Sequence, residues 1–165
     1  LEQLLQLARI EKGALQTKKE AIPLQKLLQQ VMDRWKTAAM QQNIQSEIQA
    51  AANVHVEADE DCLEIMLDNL VSNAVKYGRM NGKISLVWHS AAQELWVIDN
   101  GIGIAKDQLP YVFDQFYRVD ASRSSTINGN GLGLSIVQKL ADLQGIGLSI
   151  RSVEGEGTTF VLRFP

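Results

Sequence analysis

The sequence predicts an α+β fold: a mixed, mostly antiparallel sheet covered on one face by helices. Three observations lead there. Two long stretches, Leu24 to Trp35 and Asp61 to Tyr77, carry apolar residues at helical spacing. Short apolar segments fill much of the remaining chain. Several of these are close enough in sequence to pair as hairpins, as with Lys83–His89 and Glu94–Ile98.

Taken in order, Leu1 to about Ala14 has apolar residues at Leu1, Leu4, Leu5, Ala8 and Ile10, and Gly13 stops the helix they imply. That stripe has little to bury against alone and predicts a partner helix. Ala21 and Ile22 are briefly extended. Pro23 then opens a helix, where its missing N–H costs little. Leu24, Leu27, Leu28, Val31, Met32 and Trp35 form its buried stripe. Ile44–Ile48 and Val54–Val56 alternate as strands. Asp59, Glu60 and Asp61 place negative charge at the positive end of the next helix, which runs to about Tyr77 before Gly78. Strands follow at Lys83–His89 and Glu94–Ile98. A Gly-, Asp-, Ser- and Arg-rich stretch spans 99–130, with an apolar knot at Leu109 to Tyr117. Gly131 to Leu143 is a further amphipathic helix. Leu148–Val153 and Thr158–Phe164 are strands meeting at Gly155-Glu156-Gly157.

Composition narrows the function classes. With 165 residues, 45% hydrophobic and 21% charged, the chain fits one domain with an ordinary core. A net charge of −3 gives no footprint for nucleic acid or an anionic membrane surface. Cys62, the only cysteine, cannot form an internal disulfide; beside Leu63, Ile65 and Met66 it reads as a buried thiol without a metal cluster. No run reaches the roughly 18 apolar residues of a membrane span, and no signal peptide opens the chain. Because it starts at Leu1, inside a helix already under way, the chain is expected to be part of a longer protein.

Chemistry concentrates in four places. Asn69, Asn73, Lys76 and Tyr77 fall on one helix stripe, beside the apolar face of Leu63, Leu67, Leu70 and Ala74. Amides, a cation and an aromatic so placed can hold a hydrated cation, a phosphate and a planar ring, although each alone reads as a solvated residue. Asp99-Asn100-Gly101-Ile102-Gly103 follows an apolar strand. There a carboxylate can accept from an exocyclic amine, and glycines let a ligand lie on bare backbone. Gly129-Asn130-Gly131-Leu132-Gly133-Leu134 enters a helix whose first N–H groups suit an anion. It is neither a dinucleotide fingerprint, since no strand precedes it, nor a P-loop, since it lacks the Gly-Lys-Ser/Thr ending. Gly155-Glu156-Gly157-Thr158 reads as a hairpin, with Thr158 a second candidate contact.

Together these segments resemble the boxes of bacterial sensor histidine kinases. Asn69 to Tyr77 resembles the N box, Asp99-x-Gly101-x-Gly103 the first glycine box, and Phe113-Asp114-Gln115-Phe116-Tyr117-Arg118 the F box. Gly129-x-Gly131-Leu132-Gly133-Leu134 resembles the second glycine box and Gly155-x-Gly157-Thr158 the third; Asn128 stands where the second box often has glycine. The resemblance covers residues from about 60 to 160. It implies the Bergerat-type two-layer α/β sandwich of the gyrase, heat-shock chaperone, histidine kinase and mismatch-repair ATPase superfamily. By that resemblance ATP and Mg²⁺ are the ligands. Asn73 would coordinate the metal with Asn69 beside it, and Lys76 and Arg118 would contact phosphates. Tyr77 would pack on the adenine side and Asp99 bind its amine, while Gly101, Gly103, Phe116, Gly129, Gly131, Leu132, Gly133 and Thr158 complete the nucleotide-binding set. Residues 118–130 would form a lid over ATP.

Leu1 to Arg9 resembles the end of the dimerisation domain's second helix, so residues 1–14 are assigned there and 15–165 to the catalytic domain. The resemblance implies a phosphoacceptor histidine upstream. His55 and His89 each sit in a strand without the acceptor's sequence context. Implied partners are the dimerisation domain, a homodimer mate and a response regulator receiver domain. The implied location is the cytoplasmic part of an inner-membrane protein. Three alternatives differ in chemistry. A self-sufficient ATPase needs a general base one turn before Asn73, where Asn69 cannot serve and Glu64 lies off the face. A nucleotide-free scaffold of degenerate kinase type would show broken motifs. A serine kinase of the anti-sigma-factor type would lack the dimerisation helix.

Overall fold

A computed structural model describes residues 2–118 and 131–165. The elements run α1 (Glu2–Glu11), β1 (Glu20–Pro23), α2 (Leu24–Gln41), β2 (Gln45–Gln49), β3 (His55–Ala58), α3 (Glu60–Lys76), β4 (Lys83–His89) and β5 (Glu94–Asp99). A single 3₁₀ turn, Leu109–Tyr111, leads towards α4 (Gly133–Gln144), β6 (Gly147–Val153) and β7 (Gly157–Arg163).

The strands form two sheets rather than one. Five lie in the order β2-β4-β5-β7-β6, with β2 parallel to β4 and every other pairing antiparallel. The remaining two, β1 and β3, pair antiparallel on their own, with Ile22 opposite Val56. This corrects the expectation of one sheet, and the burial pattern gives the reason. In these short strands Ile22, Val56 and Ala58 are buried while Ala21, His55 and Glu57 are exposed, so the ribbon needs only one covered face. Pro23 ends β1 and caps α2 at φ −67°; Leu24 then donates its N–H to the Val54 carbonyl at 3.1 Å, tying helix to ribbon.

The fold is α+β, a helical layer on one face of a mixed sheet. Leu86, Leu95, Val97, Phe160 and Leu162 from the sheet meet Leu63, Met66, Leu67 and Leu70 of α3 and Ile136, Val137 and Leu140 of α4 in one core. Helix α3 runs between α2 and α4 and is covered on most sides, so Asn69 and Ser72 are buried rather than solvated. The Asp59 side chain accepts from the Cys62 N–H at 3.0 Å and caps α3. At the same end Gln144, the last residue of α4 and itself buried, accepts from the Asp59 N–H at 2.9 Å and locks α4 to the start of α3. Helix α1 packs on α4, burying Leu7. Among the described residues no helix is long and apolar enough to cross a membrane.

Candidate functional site

A cleft open to solvent lies where the end of α3, the loop after β5, the 3₁₀ turn and the start of α4 converge. The helical spacing of α3 delivers Asn69, Asn73, Lys76 and Tyr77 to its wall, and Ser72 with them. Asp99, Gly103, Arg118, Gly131, Gly133 and Thr158 line the same cleft. Ile102, Ile104, Val112, Leu134 and Phe160 give it an apolar side fit for a planar ring.

Asp99 ends β5 opposite Thr158 in register. Its Oδ1 accepts from the Gly101 N–H at 2.9 Å. Burial pushes its carboxyl up to about 6, against the pull of backbone donors from Gly101 and Thr158. The glycine loop beyond it is pinned from two sides. Ile102 donates to the Tyr77 carbonyl at 3.0 Å and accepts from the Gly155 N–H at 2.7 Å. A Cβ on Gly101 would overlap the Tyr77 carbonyl oxygen, and one on Gly103, at φ +69°, would overlap that of Val153. The glycines therefore permit close approach of the loop to α3 on one side and to the last hairpin on the other.

Lys76 and Arg118 line the same cleft. Burial lowers the Lys76 pKa, the neighbouring Arg118 guanidinium lowers it further, and Asp68 acts against both. Two cations held close together, one of them desolvated, suit a polyanion. Asn73 lines the cleft as well, and its side chain makes no hydrogen bond among the described residues. Asn69, by contrast, donates to the Ile65 carbonyl at 2.8 Å and accepts from Gln3 at 3.0 Å, so α1 reaches the cleft. A Cβ at Gly133 would stand 2.8 Å from Asn69 Oδ1, which is how closely the start of α4 approaches.

No group of three or more His, Cys, Asp or Glu side chains capable of holding a metal occurs among the described residues. A divalent cation would fit here only with oxygen from an amide such as Asn73 and the rest from phosphates and water, the usual arrangement for Mg²⁺ with a nucleotide. Asp99 is the one carboxylate among the described residues of the cleft wall. Glu64 lies outside it, paired to Arg34 at 2.6 Å. His55 and His89 also lie outside; the His89 ring packs tilted against Trp96, with centroids 4.4 Å apart.

Among the described residues of the expected nucleotide set, Phe116, Leu132 and Gly101 do not line the cleft. Phe116 adopts φ +65° and leaves its ring 62% exposed, because its N–H donates to the Gly131 carbonyl at 2.9 Å and turns the side chain outward. Val112 and Tyr117 from the same segment line the cleft in its place. Leu132 is buried in the core, its carbonyl accepting from Ser135 Oγ at 2.8 Å at the head of α4. Gly101 shapes the loop from behind. Gly129, Asn128 and the rest of 119–130 lie outside the described residues.

Sequence reasoning missed Ser152. Its hydroxyl accepts from the Ile104 N–H at 2.8 Å, contacts Thr158 Oγ1 at 2.8 Å and donates to the Gly157 carbonyl at 2.9 Å, joining the glycine loop to the last hairpin. Counting outward from the Glu154-Gly155-Glu156 turn pairs Ser152 with Thr158.

Comparison with known proteins gives a consistent picture. Residues 58–165 match the profile of the family described as histidine kinase-, DNA gyrase B- and HSP90-like ATPase. The sensor histidine kinase WalK of Bacillus subtilis is 33% identical over 98% of this chain and 27% of its own length. YkoH of the same organism, also a sensor histidine kinase, is 39% identical over 66% of this chain and 24% of its own. The chain thus spans about a quarter of the length of these curated relatives. Among solved structures, full-length ShkA in complex with AMPPNP superposes with a TM-score of 0.83 at 25% identity, covering 99% of this chain and 34% of that one. The nucleotide-free catalytic domain of the histidine kinase ThkA gives 0.77 at 25%, covering 90% and 96%.

Proposed function

The chain belongs to the histidine kinase-, DNA gyrase B- and HSP90-like ATPase family, as the catalytic ATP-binding domain of a histidine kinase with the Bergerat fold, and we propose that it presents Mg·ATP to a histidine on a separate dimerisation domain. One observation carries this reading. A single cleft gathers a partly buried carboxylate, Asp99, two cations, Lys76 and Arg118, and the amide of Asn73, which makes no side-chain hydrogen bond among the described residues. The adenine amine donates to Asp99, the apolar wall covers the ring, and the phosphates run towards Lys76 and Arg118. Asn73 and phosphate oxygens would hold Mg²⁺, which would supply charge neutralisation.

The one carboxylate among the described residues of the cleft wall, Asp99, is taken by the adenine amine in this reading, which leaves no general base there for water and favours holding ATP over hydrolysing it. Transfer to an external imidazole asks mainly for positioning and charge neutralisation. The imidazole nitrogen bonds to the γ-phosphorus as the bond to the bridging oxygen breaks, and ADP leaves. Residues 1–14 are the end of the dimerisation domain's second helix, which accounts for a helix packed on α4 with Leu4 and Leu5 left exposed. The acceptor histidine lies on that domain, and a response regulator receiver domain takes the phosphoryl group onward. The parent protein holds this domain on the cytoplasmic side of the inner membrane.

Calorimetric titration with ATP, with and without Mg²⁺, tests the reading, followed by radiolabel transfer to an added dimerisation domain. The expected result is Mg²⁺-assisted binding, no steady phosphate release by the chain alone, and an acid-labile phosphohistidine on the added domain. A folded chain with no affinity for nucleotide overturns the proposal, and steady phosphate release replaces it with an ATPase.

A further inference from the structure

Trp35 lies on α2, far in sequence from every cleft motif and outside the cleft lining, yet its ring lies beneath the ammonium of Lys76, which does line the cleft. Its indole N–H donates to Asp68 Oδ1 at 2.9 Å. Asp68 is itself fixed by Arg34 Nη1 at 2.8 Å, and the other arm of that guanidinium holds Glu64 at 2.6 Å. An indole held at its one polar atom has a fixed ring plane. The ammonium of Lys76 stands over that plane, 5.9 Å from the centroid, within the range in which a ring quadrupole attracts a cation.

We propose that Trp35 is a positioning residue for phosphate binding, its Asp68-anchored ring holding the Lys76 ammonium at the cleft wall. The inference rests on reading the cleft as a nucleotide site. A lysine side chain is long and rotamer-rich, and immobilising it on binding costs affinity. A ring face on one side of the ammonium removes part of that cost beforehand and leaves other N–H groups free for phosphate oxygens. The ring offers no hydrogen bonds, so it steadies the cation without competing for the ligand. Burial and Arg118 disfavour the lysine charge, Asp68 favours it, and an arriving phosphate adds what the site lacks. A merely structural Trp35, filling the gap between α2 and α3, would matter equally for every ligand.

The test uses the whole chain, with ATP and adenosine titrated in parallel by calorimetry and by NMR shift changes. Trp35→Leu should lower ATP affinity roughly threefold to tenfold and leave adenosine affinity unchanged. Trp35→Phe, which keeps a ring without its anchor, should cost only about twofold. In a Lys76→Met background neither substitution should have any further effect on ATP. If Trp35→Leu does not fold, the Trp35→Phe and Lys76→Met cycle reads the same coupling. Parallel losses for ATP and adenosine, or a Trp35 effect that persists without Lys76, overturn the positioning role. An unmutated chain that binds neither ligand overturns the nucleotide reading itself and the inference with it.

Discussion

Gln3 Nε2 donates to Asn69 Oδ1 at 3.0 Å, so the first helix of the chain hydrogen-bonds to the wall of the cleft. The amide nitrogen of Asn69 is already committed to the Ile65 carbonyl, which leaves this oxygen as its free valence towards a ligand. A nucleotide whose metal-bound water or phosphate-side solvent used that oxygen would have to displace Gln3. Gln3→Ala removes the competitor. ATP affinity measured by calorimetry should rise about twofold to fivefold, the net worth of one neutral hydrogen bond. Unchanged or weaker binding refutes the competition.

Asn73 presents the reverse case, since its side chain has no partner among the described residues to lose. Asn73→Ala should leave the thermal midpoint within about 1–2 °C of the parent, as expected for a substitution that breaks no internal contact. The same change should abolish the gain in ATP affinity on adding Mg²⁺. A retained Mg²⁺ effect in the folded variant would remove Asn73 from the metal's coordination.

What the sequence made legible was local. Spacing along one helix brings Asn69, Asn73, Lys76 and Tyr77 to one stripe, and that geometry follows from 3.6 residues per turn alone. Asp99 was visible as the polar end of an apolar strand. Contacts made across the fold were not visible, because no periodicity encodes them. Nothing in the sequence of α2 places Trp35 over Lys76, and nothing in α1 places Gln3 on Asn69. The independent β1–β3 ribbon and the parallel pairing of β2 with β4 are likewise choices of tertiary packing. Phe116 entered the expected nucleotide set through resemblance to the F box, and its left-handed backbone angle and exposed ring are features no sequence pattern encodes.

Gly103 is the most exacting position of the first glycine loop. Its φ of +69° disfavours any side chain, and an added Cβ would meet the Val153 carbonyl. The last hairpin would have to move away from the loop, straining the Gly155-to-Ile102 hydrogen bond of 2.7 Å. Gly103→Ala should cost about 2–4 kcal/mol in denaturant unfolding. Gly145, equally left-handed at φ +70° but with nothing within 4 Å of its Cβ direction, isolates the backbone term. Gly145→Ala should cost only about 1 kcal/mol. Equal costs would show that the contact with Val153 contributes nothing.

Asp99 sets a stability cost against binding, and pH separates the two. Its folded pKa is raised from 3.8 to about 6 by burial. Below 3.8 the carboxyl is protonated in both states and costs nothing. Between 3.8 and about 6 the folded state retains a proton that the unfolded chain has released, so this group's contribution destabilises increasingly as pH rises. Above about 6 the full cost is present, about 1–2 kcal/mol after allowing for partial solvent contact. Asp99→Asn can keep the bond from the Gly101 N–H while removing the charge. The variant should therefore melt higher than the parent at about pH 7.5, with the difference shrinking towards about pH 4. Its ATP affinity should fall tenfold or more, roughly the worth of a charge-assisted hydrogen bond. In the parent, an adenine amine that favours the carboxylate should expel a proton on binding near pH 6. That release would appear as a calorimetric enthalpy dependent on the ionisation heat of the buffer. Asp99→Asn should show none of it, and a parent that takes up protons on binding would place the amine elsewhere.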